Sequence, residues 1–141
     1  MRPVPALQTT LAAEHAAVYV YAVLGGRVSA SENARVASQL RSAYDTHRAR
    51  RDRLRTVISD LGRTPVPAET GYAVDARNRS ADHLAEVALR TEERSAAVYA
   101  QLVASTTGPE RRWAVQALTD ASLRSLTFGG QPEVWPGAPE L

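Results

Sequence analysis

The stretch Leu7–Gly26, LQTTLAAEHAAVYVYAVLGG, decides how the chain is read. At about 100° per residue, Leu7, Leu11, Glu14, Val18, Tyr21, Ala22 and Gly25 share one stripe of a helix. A carboxylate therefore sits in the middle of a face that is otherwise apolar, aromatic or small. From Ala16 to Leu24 the helix is apolar all the way round, which calls for cover on more than one side. The simplest source of that cover is a second copy of the chain, a homodimer through helix 1. Pro3 and Pro5 stop upstream structure and Gly25-Gly26 are expected to end the helix, giving bounds of about Ala6 to Leu24.

Three further helices follow from the same signals. Ser29 or Ser31 caps helix 2, with Glu32 in its first turn, and the helix continues to Leu61 with Gly62 as its stop. Its stripe is Val36, Leu40, Ala43, His47, Leu54, Ile58 and Leu61, with Arg50 and Arg51 on the shoulders. Ser80 caps helix 3, which runs to Ser105 on Leu84, Ala88, Val98, Tyr99 and Leu102, with Thr91, Glu92 and Ser95 near its middle. Pro109 opens helix 4, which reaches about Phe128 before Gly129-Gly130. Residues 1–128 form one bundle domain and 129–141 a Pro/Gly-rich tail, on which Trp135 is a candidate to dock.

The connections fix the topology. Gly62–Arg79 holds Pro65, Pro67 and Gly71 and shows no sustained period, whereas neighbouring antiparallel helices need only two to eight residues. Extended, it spans about 60 Å, more than the roughly 45 Å of helix 2. It therefore reads as a long crossover between helices 2 and 3, inside an all-α four-helix bundle.

Bulk composition narrows the function classes. The 141 residues hold no cysteine, which excludes disulfides and thiolate metal sites and fits a reducing cytoplasm. All 17 basic residues are Arg, which with the abundant Ala reads as a GC-rich coding bias. A net charge of +2 is no nucleic-acid footprint. The Arg run from Arg48 to Arg55 spreads around its helix and is interrupted by Asp52, so it reads as a solvated face. There is no signal-peptide pattern and no apolar stretch long enough to span a membrane.

Glu14, His47, Glu92 and Asp120 each fall near the middle of their own helix, so a bundle brings them to one level. The residues Glu14 with Tyr21, His47-Arg48-Ala49-Arg50-Arg51-Asp52 and Ala117-Leu118-Thr119-Asp120 resemble the ferritin-like superfamily, in an uncharacterised bacterial branch. The resemblance covers residues 6–128. It implies a ferritin-like bundle, and a di-metal centre built from one Glu on each of two helices and Glu-x-x-His on each of the others. Two positions depart from that pattern: Tyr44 stands where a Glu is wanted, and Asp120 is followed by Leu123 and Arg124 where Glu-x-x-His is wanted. At most four of six ligands survive.

Two readings follow. In one, the degenerate site is a metal-free polar or salt-bridge core in which Tyr21, Tyr44, Arg51 and Arg124 join the four residues. Arg124 pairs there with Asp120, and Arg51 or Arg50 with Glu14 or Glu92. The protein then acts in binding or scaffolding, with no cofactor. In the other, Glu14, His47, Glu92 and Asp120 hold iron, manganese or zinc in a carboxylate oxidase, a peroxidase-type enzyme or a metal-storage relative. His15, on the flank of helix 1, and His83, in the first turn of helix 3, read as structural.

Overall fold

The computed structural model describes residues 2–138. Its four helices are α1 (Pro3–Arg27), α2 (Ala34–Asp60), α3 (Ala81–Ser105) and α4 (Gly108–Thr127), with no strand among the described residues. The helix ends follow local chemistry. After α2, Gly62 adopts φ +69° and the Arg63 N–H reaches back to the Ile58 carbonyl at 3.1 Å, the 6→1 bond of a Schellman stop. After α4, Gly129 (φ +97°) and the bond from Gly130 N–H to the Ser125 carbonyl at 2.8 Å repeat the device. Ser80 caps α3 by accepting from the His83 N–H at 3.2 Å.

Three expected boundaries move. α1 begins at Pro3, not near Ala6, since proline is tolerated in a first turn whose N–H groups have no helical partner. Gly25 and Gly26 lie inside α1, which ends only at the extended Val28. Neither glycine takes a positive φ; without one, glycine weakens a helix but does not stop it. In α2 the N-cap is Asn33, so Glu32 precedes the helix instead of occupying its first turn.

The buried stripe of α1 also differs from the sequence reading. Leu7, Thr10, Glu14, Ala17, Tyr21 and Leu24 are buried, whereas Ala22 and Gly25 are exposed. These positions alternate in steps of three and four. That is the 3.5-residue repeat of helices coiling about neighbours, not the 3.6 of a straight helix. α2 buries Leu40, Ala43, His47, Arg50, Leu54 and Ile58, while Leu61 is exposed.

The core has two apolar halves. One gathers Val20, Tyr21, Leu24, Leu40, Ala43, Ala76, Leu84, Val87, Ala88 and Phe128. The other gathers Ala6, Leu7, Leu11, Leu54, Ile58, Tyr99, Leu102, Ala114 and Ala117. α2 and α3 both run from the first half to the second, α1 and α4 the other way. The helices pack most closely as α3 on α4, α1 on α2, and α1 on α3.

The segment between α2 and α3 touches α1 in sequence order. The Gln8 side chain donates to the Thr64 carbonyl and accepts from the Val66 N–H, both at 2.8 Å. His15 Nε2 meets the Val66 carbonyl at 3.0 Å, Tyr72 packs on Tyr19 with ring centres 5.5 Å apart, and Ala76 joins the cluster around Leu24. This segment covers part of the α1 surface that is apolar all round. The tail turns back over α3 and α4, where Gly137 comes so close that a Cβ would lie 2.6 Å from the Ala96 carbonyl oxygen. Trp135, a candidate to dock on the bundle, is instead 75% exposed; the contact is made two residues later by Gly137, since only a glycine allows such an approach.

Because one Gln8 amide satisfies two backbone groups of the connecting segment, Gln8→Ala should lower unfolding stability by about 1–2 kcal/mol. Amide exchange at Val66 should accelerate. Denaturant unfolding and hydrogen exchange measure both.

Candidate functional site

Between the two apolar halves lies a layer of buried polar side chains. α1 supplies Glu14, α2 supplies His47 and Arg50, and α3 supplies Thr91, Glu92 and Ser95. Glu14, His47 and Glu92 are essentially inaccessible to water. His47 stands between the two carboxylates, with Nδ1 2.6 Å from Glu14 Oε2 and Nε2 3.0 Å from Glu92 Oε1. Two tyrosines close the ends. Tyr99 donates to Glu14 Oε1 and Tyr21 to Glu92 Oε1, each at 2.5 Å. Tyr21 also stacks on the imidazole, with ring centres 5.2 Å apart. The result is one hydrogen-bonded chain, Tyr99–Glu14–His47–Glu92–Tyr21, crossing from α3 through α1 and α2 back to α3 and α1.

The protonation state follows from this geometry. A neutral imidazole carries one N–H, yet both ring nitrogens here face carboxylate oxygens, an arrangement that favours the imidazolium. Burial alone would lower the His47 pKa, but the charge and hydrogen bond of Glu14, reinforced by Glu92, raise it to about 9. Burial, followed by the neighbouring Glu92, holds the Tyr21 hydroxyl protonated far above its usual range. Burial and then Glu14 do the same for Tyr99.

Beside this chain lies an ion triplet. Arg50 Nη2 donates to Asp120 Oδ2 at 2.7 Å and to the Ala117 carbonyl at 3.2 Å, and its guanidinium sits 5.2 Å from the centre of the Tyr99 ring. Arg124 Nε donates to the same Asp120 oxygen at 2.9 Å, and its Nη2 to Thr46 Oγ1 at 2.7 Å. Glu14, Glu92 and Asp120 are thus matched by His47, Arg50 and Arg124. Two buried side-chain atoms keep no hydrogen-bond partner among the described residues, Arg50 Nη1 and Glu92 Oε2.

Residues 6–140 match a domain of unknown function, DUF4439. The chain belongs to the DUF4439 family. Its structure is similar to the crystal structure of a conserved hypothetical protein, rv2844, from Mycobacterium tuberculosis, with a TM-score of 0.78 and 28% identity over 92% of each chain. No curated protein matches the chain in sequence.

Within this DUF4439 domain, three of the four residues singled out from the sequence meet: Glu14, His47 and Glu92. Asp120 lies at the side, its side chain 41% exposed and held by two guanidinium groups. Tyr21 joins the chain, whereas Tyr44 packs against the apolar half around Leu24. Arg124 pairs with Asp120 as its spacing suggested; Arg51 instead turns outward to Asp52 at 2.8 Å. Arg50, expected to pair with Glu14 or Glu92, reaches Asp120 instead, because His47 and the tyrosines already occupy those carboxylates. One member escaped the sequence reading: Tyr99 supplies its hydroxyl to Glu14. His15 and His83 hold the α2–α3 connection, at the Val66 and Asp75 carbonyls. Among the described residues, no three His, Asp or Glu side chains are grouped to hold a metal ion.

The polar layer and its ion triplet make stability depend on pH and on individual charges. The folded His47 pKa of about 9 lies above the unfolded value of about 6.5. Its contribution is therefore full below pH of about 6.5, lost as pH rises through about 9, and worth about 3 kcal/mol at most. Unfolding midpoints measured from pH 6 to 10 should fall over that window, and the fall should vanish in His47→Gln. His47→Ala, which leaves two buried carboxylates uncompensated, should cost about 3–5 kcal/mol. Arg124→Ala should cost about 1 kcal/mol or less, since Asp120 is part-exposed and keeps Arg50.

Proposed function

We propose that this chain is a ferritin-like bundle with the α2–α3 connection as its crossover, and that an imidazolium stands where relatives of that superfamily place metal. It acts in binding or scaffolding, not catalysis. The shared direction of α2 and α3 and the contacts of the connection along α1 support the ferritin-like reading. The observation that carries the metal-free reading is the engagement of both His47 ring nitrogens by carboxylates. A histidine ligates a metal through the lone pair of a neutral ring. With both nitrogens protonated, His47 offers none. Asp120 is equally committed, to Arg50 and Arg124, and Tyr44 and Leu123 stand at the two ligand positions already lost. The present donors do not fit a dinuclear centre.

One observation favours the alternative, a metal-dependent oxidase, peroxidase or storage protein. Glu92 Oε2 is buried with no hydrogen-bond partner, an acceptor that a cation would satisfy. Elemental analysis separates the readings. Protein expressed with added iron, manganese and zinc and purified without chelator should hold well under one metal ion per chain. Its His47 should show two ring N–H groups in nitrogen NMR at neutral pH. Near-stoichiometric metal that disappears in Glu14→Ala or His47→Ala would overturn the proposal in favour of the metal enzyme.

A further inference from the structure

The outer face of α4 is not that of a solvated helix. Val115, Leu123 and Leu126 are all exposed, Leu123 by 58%. At about 100° per residue, Arg112, Val115, Thr119, Leu123 and Leu126 fall within an arc of about 80°. Next to this stripe, α3, α4 and the tail enclose an open groove of about 890 Å³, with Leu89, Leu118, Leu126 and Val134 among its lining. The tail is set there firmly, by Gly130 N–H on the Ser125 carbonyl and by Gly137 against the α3 backbone. Trp135 lies between two lining residues, Val134 and Pro136, and projects its indole into solvent. One face therefore presents an apolar hollow and, beside it, an apolar knob. Charge is divided on the same face. Glu93 and Glu133 line the groove, while the exposed Arg111 and Arg112 precede its α4 wall.

We propose that this face joins two copies of the chain about a two-fold axis. Trp135 of each copy sits in the groove of the other, and Glu93 and Glu133 of each face Arg111 and Arg112 of its mate. A two-fold interface is a surface meeting itself, so it suits a face that carries both halves of a complementary pair. A foreign helix filling the groove would leave Trp135, which is not among its lining, in water. A second copy covers hollow and knob together, and brings acid to base. Exposed tryptophan beside an apolar hollow is the chemistry of an interface anchor. α1 has less need of a second copy, because Tyr72, Val74 and Ala76 of the same chain already pack on its apolar half. The proposal does not depend on whether the polar layer binds metal.

Sedimentation velocity of the full chain over a wide concentration range, paired with fluorescence, tests it. The expected result is a monomer–dimer equilibrium whose Kd rises at least tenfold in Trp135→Ala and in Leu123→Arg, with unchanged helical circular dichroism. Ala22→Arg, on the exposed side of α1, should leave it intact. In Trp113→Phe, the emission of Trp135 should shift to the blue as the dimer forms. A monomer at every concentration overturns the proposal, including one whose groove takes up an amphipathic peptide. So does a dimer that survives Trp135→Ala and Leu123→Arg but is lost in Ala22→Arg.

Discussion

The structure depends on one positive charge held out of water between two negative ones. A carboxylate buried alone is costly enough to take up a proton instead. Glu14 and Glu92 avoid this by sharing the His47 ring, each with a tyrosine hydroxyl as further donor. Such an arrangement adds little net stability over a well-packed apolar layer. Its effect is on register. The hydrogen bonds hold only when α1, α2 and α3 stand at one height, and a slip of one turn, about 5.4 Å, would break them all. Purely apolar layers of Leu, Ala and Val would tolerate such a slip far better.

Much of this was readable from residue order, and the failures share a cause. Glu14 and His47 stand out because a charged or titratable residue interrupts an apolar stripe, and Gly62 and Gly129 because each follows the last periodic residue. Arg50, placed on a shoulder, is central because it stands one turn from both His47 and Leu54, on the face that also buries Ala43 and Ile58. In α1 the shorter repeat of the buried positions carries the face from Gly25 to Leu24. Asp120 shows a different limit. Its height along α4 was legible, but its direction depended on which arginines of α2 and α4 reached it first. Gly25 and Gly26 show that a glycine pair ends a helix only where the backbone adopts a positive φ.

The apolar girth of α1 has an intramolecular explanation that no periodicity could supply. A segment with no secondary structure of its own lies along the helix, pinned by Gln8, His15 and the Tyr19–Tyr72 contact. A proline-rich stretch that reads as a loop is thus a structural wall. Its backbone polar groups find partners on side chains, as those of a packed loop must.

The α2–α4 side of the bundle differs in kind from the others. There the join includes guanidinium groups, Arg50 of α2 on Asp120 and Arg124 of α4 on Thr46, beside small residues such as Ala117. Charge pairs near solvent weaken with ionic strength, whereas buried leucines do not. That flank is consequently the one whose cohesion responds to the saltiness of the medium. If the barrel of helices breathes, it does so there, like a book whose spine is glued and whose open edge is held by clasps.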